Sequence, residues 1–172
     1  FDHAMTSAPD QQYLAWLAQR VGLLGVHLDC DSGKSDYNRF QDKAHNGSLQ
    51  MFQWGWNADY PDPENFLFLF HGPNARAHEH GENAANYSNP EYDALFRKVE
   101  NMENGPERMM LIRKMRALLQ HDMPWMSAYH PVSFALDHAW LRNHKPNLIA
   151  NNKLKYLRID AVQRRALRRE WH

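Results

Sequence analysis

The chain has 172 residues and carries 20 Lys and Arg against 20 Asp and Glu, so its zero net charge directs it to no particular class of partner. Hydrophobic residues make up 43% of the sequence, including six Trp and eight Phe, which excludes disorder of the whole chain and predicts one compact unit, alone or with a tail. No apolar run approaches the ~20 residues that cross a bilayer. The single cysteine, Cys30, excludes an intramolecular disulfide and a cysteine-bound zinc cluster.

Two helices are predicted in the first third of the chain. Residues 10–22 have apolar side chains at helical spacing, and Asp10 is placed as their N-cap. A second helix is expected over residues 37–46, capped by Asp36 and ended by Gly47.

Two strands are predicted next to these helices. "LLGVHLDC" at 23–30 and "LQMFQW" at 49–54 have the composition and alternation of extended chain. Because helices and strands alternate along the sequence, right-handed crossovers onto a mainly parallel sheet are expected. The strands around 26–28 and 49–54 should then be neighbours.

Two further helices are predicted in the middle of the chain. One starts at Ser88 or Asn89, has Pro90 in its first turn and places a stripe of apolar residues on one face. The other covers about 106–121, where a methionine-rich face either fills the core or lines a promiscuous binding groove; the core is favoured. Its face consists of Met109, Ile112, Met115 and Leu119. Residues 123–136 are expected to be extended and residues 140–152 to form a loop.

The last part of the chain, "KLKYLRIDAVQRRALRREW", is basic. Four of its arginines recur at helical spacing and could face phosphates, with Tyr156 and Trp171 as stacking partners. A solvated C-terminal helix is favoured over a nucleic-acid contact, because runs of charge are usually exposed faces. The arginines are Arg164, Arg165, Arg168 and Arg169.

A cluster of histidines gives the one catalytic candidate. His71, His78 and His80, with Glu79 or Glu82, could hold a metal ion for hydrolysis. There is no HExxH pattern, however, and the surrounding Gly, Asn and Ala favour a solvated polar loop. The sequence also lacks a GxSxG elbow, a P-loop and a GxGxxG turn.

The stretch "WGWNADYPDPENF" at 54–66 is the strongest candidate for a binding site. It follows a predicted strand, and open α/β sheets bind ligands where strands meet their loops. Aromatic rings offer large rigid surfaces, and an Asp on the same loop can bind a cationic group. Of the two tryptophans, one is expected to have a structural role, while Trp56 with Asp59 is assigned to the ligand. Asp62, between two prolines, is expected to serve the turn.

Three segments in order carry a resemblance to a known family. "GWNADYPDPENFLF", "NYSNPEYDALF" at 86–96 and "MPWMSAYHP" at 123–131 resemble the C-terminal part of the family-5 extracellular solute-binding proteins. The resemblance implies a lobe of the type II periplasmic-binding-protein fold, an α/β structure with a mainly parallel sheet flanked by helices. It implies a ligand-binding lobe at 1–130, and a hinge-return strand with a tail at 131–172. Such receptors are longer, and Phe1 precedes a segment that resembles a strand already under way, so the chain is expected to be a fragment.

The resemblance also assigns ligand contacts. Asp59 matches the aspartate that holds a peptide's amino terminus, Trp56 matches an aromatic wall, and Asn57 lies where the chain meets the ligand. Tyr37 falls at a side-chain pocket. Gln53 departs from the positive residue found there in some oligopeptide binders. A sixth residue, Tyr129, lies near the returning strand.

The function implied is that of a non-catalytic receptor without a cofactor. It would capture a peptide or small solute in the periplasm for an ABC permease in the inner membrane, with no nucleic-acid partner. The family also includes receptors for nickel, haem, sugars and opines, so the ligand stays open. Because apolar surface that normally faces the other lobe would be exposed, self-association is expected. The metal-dependent hydrolase is kept as the alternative.

Overall fold

The computed structural model describes residues 1–4, 7–30, 37–132, 134–147 and 149–169. The chain divides into two compact units. The first comprises Phe1–Trp56 and Asp62–Met126, and the second comprises Asn57–Pro61 and Ser127–His172. The division into a lobe at 1–130 and a hinge-return segment at 131–172 stays a prediction.

The first unit is mainly helical. Its α-helices are α1 (Ala8–Gly22), α2 (Tyr37–His45), α3 (Glu64–Leu67), α4 (Arg76–Glu79), α5 (Pro90–Val99) and α6 (Pro106–Asp122). Short 3-10 turns follow α3 at Phe68–Phe70 and Gly72–Asn74. No helix among the described residues is both long and apolar enough to cross a membrane.

The ends of the first two helices follow from local chemistry. Ser7, and not Asp10, is the N-cap of α1: the Ser7 hydroxyl accepts from the Asp10 N–H, and the Asp10 carboxylate accepts from the Ser7 N–H at 2.8 Å. This reciprocal capping box moves the start of the helix from residue 10 to Ala8. Helix α2 ends before Gly47, as predicted, while its predicted cap, Asp36, lies outside the described residues.

The predicted parallel sheet is not present in the described residues. Residues 26–30 carry no regular strand, and residues 49–54 contribute one isolated parallel bridge, between Phe52 and Asp2. The Phe1 amino group donates to the carbonyl of Asp29, and the Asp2 N–H donates to the Met51 carbonyl at 2.8 Å. Residues 1–3 therefore lie between the two segments predicted to be neighbours. Within the described part of residues 1–54, these hydrogen bonds do not form the ladder of consecutive pairs that defines a sheet.

Helices α5 and α6 enclose the core of the first unit. Asn89 caps α5, as one of the two predicted candidates, by accepting from the N–H groups of Glu91 and Tyr92. The buried cluster consists of Leu67, Tyr92, Phe96, Val99 and Met115. The methionine-rich face of α6 is core at Met115, but Met109 is exposed, and the neighbouring Arg108 is buried instead.

The second unit contains little regular structure. Strands β1 (Leu141–Arg142) and β2 (Arg158–Ile159) pair antiparallel, with Leu141 opposite Ile159. A 3-10 turn at Lys153–Tyr156 precedes β2, and helix α7 (Ala161–Arg169) follows it. The described part of 123–136 contains no strand, whereas the segment 140–152, predicted as loop, contains β1. Trp140 is buried in this unit, and the His138 ring stacks on it at 4.0 Å between centroids.

Candidate ligand-binding site

Trp54, the first tryptophan of the candidate stretch, belongs to an aromatic cluster of the first unit. Its ring meets the Phe40 ring edge-on at 5.1 Å and the Phe52 ring at 6.4 Å, measured between centroids. The Arg76 guanidinium lies 4.6 Å from the Trp54 ring centroid, within range of a cation–π interaction, and also pairs with Glu82 at 2.7 Å. These contacts hold the Trp54 ring in place, although 37% of its surface is exposed and Trp56 is the less exposed of the two tryptophans.

Trp56 is half-buried and held by two partners in the same unit. Its indole N–H donates to the Asn65 side-chain oxygen at 3.0 Å, which satisfies the polar atom of the ring. Its ring meets the Phe68 ring edge-on at 5.5 Å. Asn65 is buried on the short helix α3, so the orientation of the Trp56 ring is fixed by the elements that follow the loop.

Asp62, in the second half of the candidate stretch, makes two kinds of contact. Its carboxylate accepts from the Glu64 N–H at 2.8 Å, which is the predicted turn role. It also receives two hydrogen bonds from the Arg108 guanidinium, at 2.8 and 2.7 Å. This bidentate pair, together with the turn bond, holds the pKa of the Asp62 carboxyl below its usual value. The sequence did not predict this ion pair, because Arg108 lies on the side of α6 that its apolar residues assign to the core.

The six residues assigned to the ligand are divided between the units. Tyr37, Gln53 and Trp56 belong to the first unit: Tyr37 is the exposed first residue of α2, and Gln53 is half-buried next to residues 1–3. The other three, Asn57, Asp59 and Tyr129, are exposed residues of the second unit. Their role in binding a ligand stays a prediction.

A buried asparagine organises the polar loop that follows this stretch. Asn83 has no exposed surface; its side-chain NH2 donates to the carbonyls of His71 and Tyr87 at 3.2 and 2.8 Å. Its side-chain oxygen accepts from the Tyr87 N–H at 3.2 Å, and Ala75 and Asn83 form a parallel bridge. The Gly, Asn and Ala composition suggested a merely solvated loop. The described residues instead form a loop fixed by the three hydrogen bonds of one side chain.

The two histidines of this loop whose side chains are described, His71 and His80, lie against other aromatic rings. The His71 ring packs on the Phe96 ring at 4.5 Å between centroids, and burial lowers the pKa of His71. The His80 ring meets His45 at 5.9 Å, while Glu82 pairs with Arg76. The side chains of His78 and Glu79 lie outside the described residues. Among the side chains that are described, no group of three possible ligands occurs.

Among the described carboxylates, Asp122 at the end of α6 has the most strongly lowered pKa. Asp122 accepts from the Tyr87 hydroxyl at 2.5 Å and from the Asn89 side-chain NH2 at 2.9 Å, and it contacts His121 at 2.8 Å. These bonds lower the pKa of Asp122 to about 2, and the bond to His121 has the largest effect. Burial, together with the bond to the Asp122 carboxylate, raises the pKa of Tyr87 to about 12. The cluster links the segment before α5 to the end of α6, so its role is structural.

Comparisons with known proteins identify binding proteins. The chain is 31% identical over 106 residues to the oligopeptide-binding protein OppA of Bacillus subtilis, a match that covers 62% of this chain and 18% of the relative. It is also 31% identical over 101 residues to heme-binding protein A of Haemophilus influenzae, covering 59% of this chain and 17% of that relative. No protein-family model matches the chain.

A solved structure extends the similarity to the fold. The ABC transporter-associated periplasmic binding protein DppA from Helicobacter pylori, in complex with the peptide STSA, superposes with a TM-score of 0.60. The sequence identity is 19%, and the match covers 72% of this chain and 24% of that one. The fold of the matched part is therefore shared.

The matches cover most of this chain but only a small part of each relative. The chain is a partial match to the family-5 solute-binding proteins and spans about a fifth of the length of the curated relatives it matches. The matched proteins are non-enzymatic binding proteins, which agrees with the prediction of a chain that is not an enzyme.

Proposed function

We propose that this chain, a partial match to the family-5 solute-binding proteins, contributes to the substrate-binding component of an ABC importer. Acting on the periplasmic side of the inner membrane, it helps to capture a peptide or related small solute between two lobes and deliver it to the permease. Closure of two lobes on a ligand is the general mode of periplasmic binding proteins.

The observation that supports this proposal most strongly is the sequence similarity. About 60% of the chain matches relatives whose names describe binding of oligopeptides or heme, at 31% identity. The fold similarity to a periplasmic binding protein that was solved with a peptide adds independent support. The alternative, a metal-dependent hydrolase, has no such support, because the described residues contain no group of three possible metal ligands.

Within this proposal, Asp59 pairs with a cationic group of the ligand, and Trp56 packs along its body. Asn57, Tyr37, Gln53 and Tyr129 complete the set of ligand contacts. The support for Asp59 is its place in the resemblance, and the residue is exposed. The support for Trp56 is that Asn65 and Phe68 already fix its ring, so little side-chain entropy would be lost on binding.

The experiment combines a change in the protein with a change in the ligand. Short peptides of two to five residues are titrated calorimetrically, up to millimolar concentrations, against the wild type and Asp59→Asn. Loss of one partner from a desolvated charge pair costs roughly 3–5 kcal/mol, so the variant is expected to bind about 150- to 5000-fold more weakly. Glu107→Gln, at an exposed carboxylate in the first turn of α6, is the matched control and should bind as the wild type does.

The same peptides with acetylated amino termini make the test specific, because acetylation removes the terminal charge. If Asp59 binds the ammonium group, the acetylated peptide binds the wild type weakly, and Asp59→Asn causes no further loss. Equal affinity of the wild type and Asp59→Asn for the free peptide would refute the assigned role.

A further inference from the structure

Helix α7 presents four arginines on one face, which we call the arginine face: Arg164, Arg165, Arg168 and Arg169. The spacing of i, i+1, i+4 and i+5 places them together on one side of an α-helix. All four side chains are exposed. Among the described residues, no acidic side chain forms an ion pair with any of them.

The opposite side of α7 is attached to its own unit, so the arginine face points away from that unit. The Gln163 side-chain oxygen accepts from the Arg142 guanidinium at 2.6 Å, and the Asp160 carboxylate caps the helix by accepting from the Gln163 N–H at 3.0 Å. The Asp160 N–H donates to the Trp140 carbonyl at 2.8 Å. Leu167 is half-buried on the side of Gln163.

Apolar side chains are exposed in the segment before and at the start of α7. They alternate with basic residues in the sequence "KLKYLRI" at 153–159. The exposed apolar residues are Leu154, Tyr156, Ile159 and Val162. Exposed aliphatic groups among Lys and Arg are the composition of a surface that lies in a membrane interface.

Residues 127–172 carry a net positive charge, although the net charge of the whole chain is zero. Residues 127–172 contain nine Lys and Arg against three Asp and Glu, whereas residues 1–126 contain eleven against seventeen. A partner attracted by this region must therefore be anionic.

We propose that the arginine face of α7, with its exposed apolar neighbours, binds the surface of a bilayer that contains anionic phospholipids. The arginines pair with the phosphate groups, and the aliphatic side chains enter the headgroup region. A single-stranded nucleic acid, whose bases stack on aromatic rings, fits less well, because Tyr156 is the one aromatic ring in the described residues 153–169 and Lys155 lies 5.7 Å from its centroid. This inference does not depend on the proposed receptor function.

Flotation of the protein with lipid vesicles tests the proposal. The protein is expected to float with vesicles of phosphatidylcholine mixed with phosphatidylglycerol and not with vesicles of phosphatidylcholine alone. Arg164→Gln/Arg168→Gln removes two charges and should lower the partition coefficient about 30-fold. Raising the salt from about 0.1 M to about 1 M shortens the Debye length from about 10 Å to about 3 Å and should also release the protein.

Arg113→Gln/Arg116→Gln is the matched control, because both arginines are exposed on α6 in the first unit. It should leave the partition coefficient unchanged, and circular dichroism should show equal helix content in both double variants. Equal partition into both kinds of vesicle, or equal loss in the two double variants, would overturn the proposal. Tighter binding to a short DNA duplex than to the anionic vesicles would overturn it in favour of a nucleic-acid surface.

Discussion

Arg108 is the most heavily constrained charged residue of the first unit. Only 3% of its surface is exposed, and its guanidinium donates to the Val99 carbonyl at 3.1 Å, to the Asn104 side-chain oxygen at 2.6 Å and twice to Asp62. A buried guanidinium cannot lose its proton, so it needs a compensating charge nearby. Asp62 supplies that charge, and the pair thereby attaches the second half of the candidate stretch to α6.

Asp62→Ala is therefore expected to destabilise the fold. Removing one partner of a buried ion pair costs about 3–5 kcal/mol, and the lower end applies because the Asp62 side chain is 28% exposed. Urea unfolding should show a loss near ~3 kcal/mol. Asp42→Ala, at an exposed carboxylate of α2, should change stability by less than about 0.5 kcal/mol. Similar values for the two variants would contradict the structural role of the pair.

The Asp122 carboxylate predicts a dependence of stability on pH. Its pKa falls from 3.8 to about 2 in the folded chain, so it stabilises the fold above its unfolded pKa. That contribution should be lost as the pH falls from about 4 to about 2. The difference in unfolding free energy between the wild type and Asp122→Asn should shrink as the pH falls across this window. A difference that does not vary between pH 5 and pH 2 would contradict the assignment.

At the scale of single residues, the sequence predicts local contacts and misses distant ones. The turn role of Asp62 follows from the two prolines beside it. Its pairing with Arg108 joins positions 46 apart, and no spacing rule connects them. The burial of Asn83 was not predicted either. The composition of its loop indicates solvent exposure, but the side chain is buried and makes three hydrogen bonds.

At the scale of elements, the end of α2 is a Schellman motif. The Gly47 N–H donates to the Ala44 carbonyl at 3.2 Å, and the Ser48 N–H donates to the Lys43 carbonyl at 2.9 Å. This arrangement requires a left-handed residue, and Gly47 has φ +64°. A side chain at this position would also place its Cβ 3.0 Å from the Cβ of Ala77 on α4.

Gly47→Ala is expected to lower the unfolding free energy by about 1–2 kcal/mol from the backbone alone, and further through the contact with Ala77. Gly22→Ala is the control, because Gly22 lies in the last turn of α1, has no left-handed φ, and has no atom within 4 Å of the place that a Cβ would occupy. It should be neutral or stabilise by up to about 1 kcal/mol. Chemical denaturation of both variants distinguishes them, and equal effects would argue against the left-handed requirement.

Helices were predictable from the sequence, and strands were not. The start of α5 is determined by Asn89 and Pro90, and each of these acts within a few residues. A strand, by contrast, is defined by its partner. Segments 23–30 and 49–54 have the composition of strands, but residues 1–3 lie between them and form isolated hydrogen bonds with each. Composition alone does not contain that pairing.

At the scale of the whole molecule, the described part of residues 129–136 exposes apolar side chains in succession. Val132, Phe134 and Leu136 are 78%, 91% and 99% exposed, and Tyr129 is also exposed. Contiguous exposed apolar groups generally mark an interaction surface or cause association. We therefore expect the chain to self-associate, with a sedimentation coefficient that rises with protein concentration.

Phe134→Ser/Leu136→Ser is the variant that tests this expectation. Burying a Phe or Leu side chain contributes about 1.5–3 kcal/mol, so losing both should weaken association by roughly 100-fold or more. Leu23→Ser/Leu24→Ser is the matched control: these adjacent leucines are 75% and 80% exposed but belong to the first unit, just after α1. It should associate as the wild type does. A wild-type protein that sediments as a monomer at all concentrations would contradict the prediction, and equal weakening by both variants would show that association is not specific to residues 129–136.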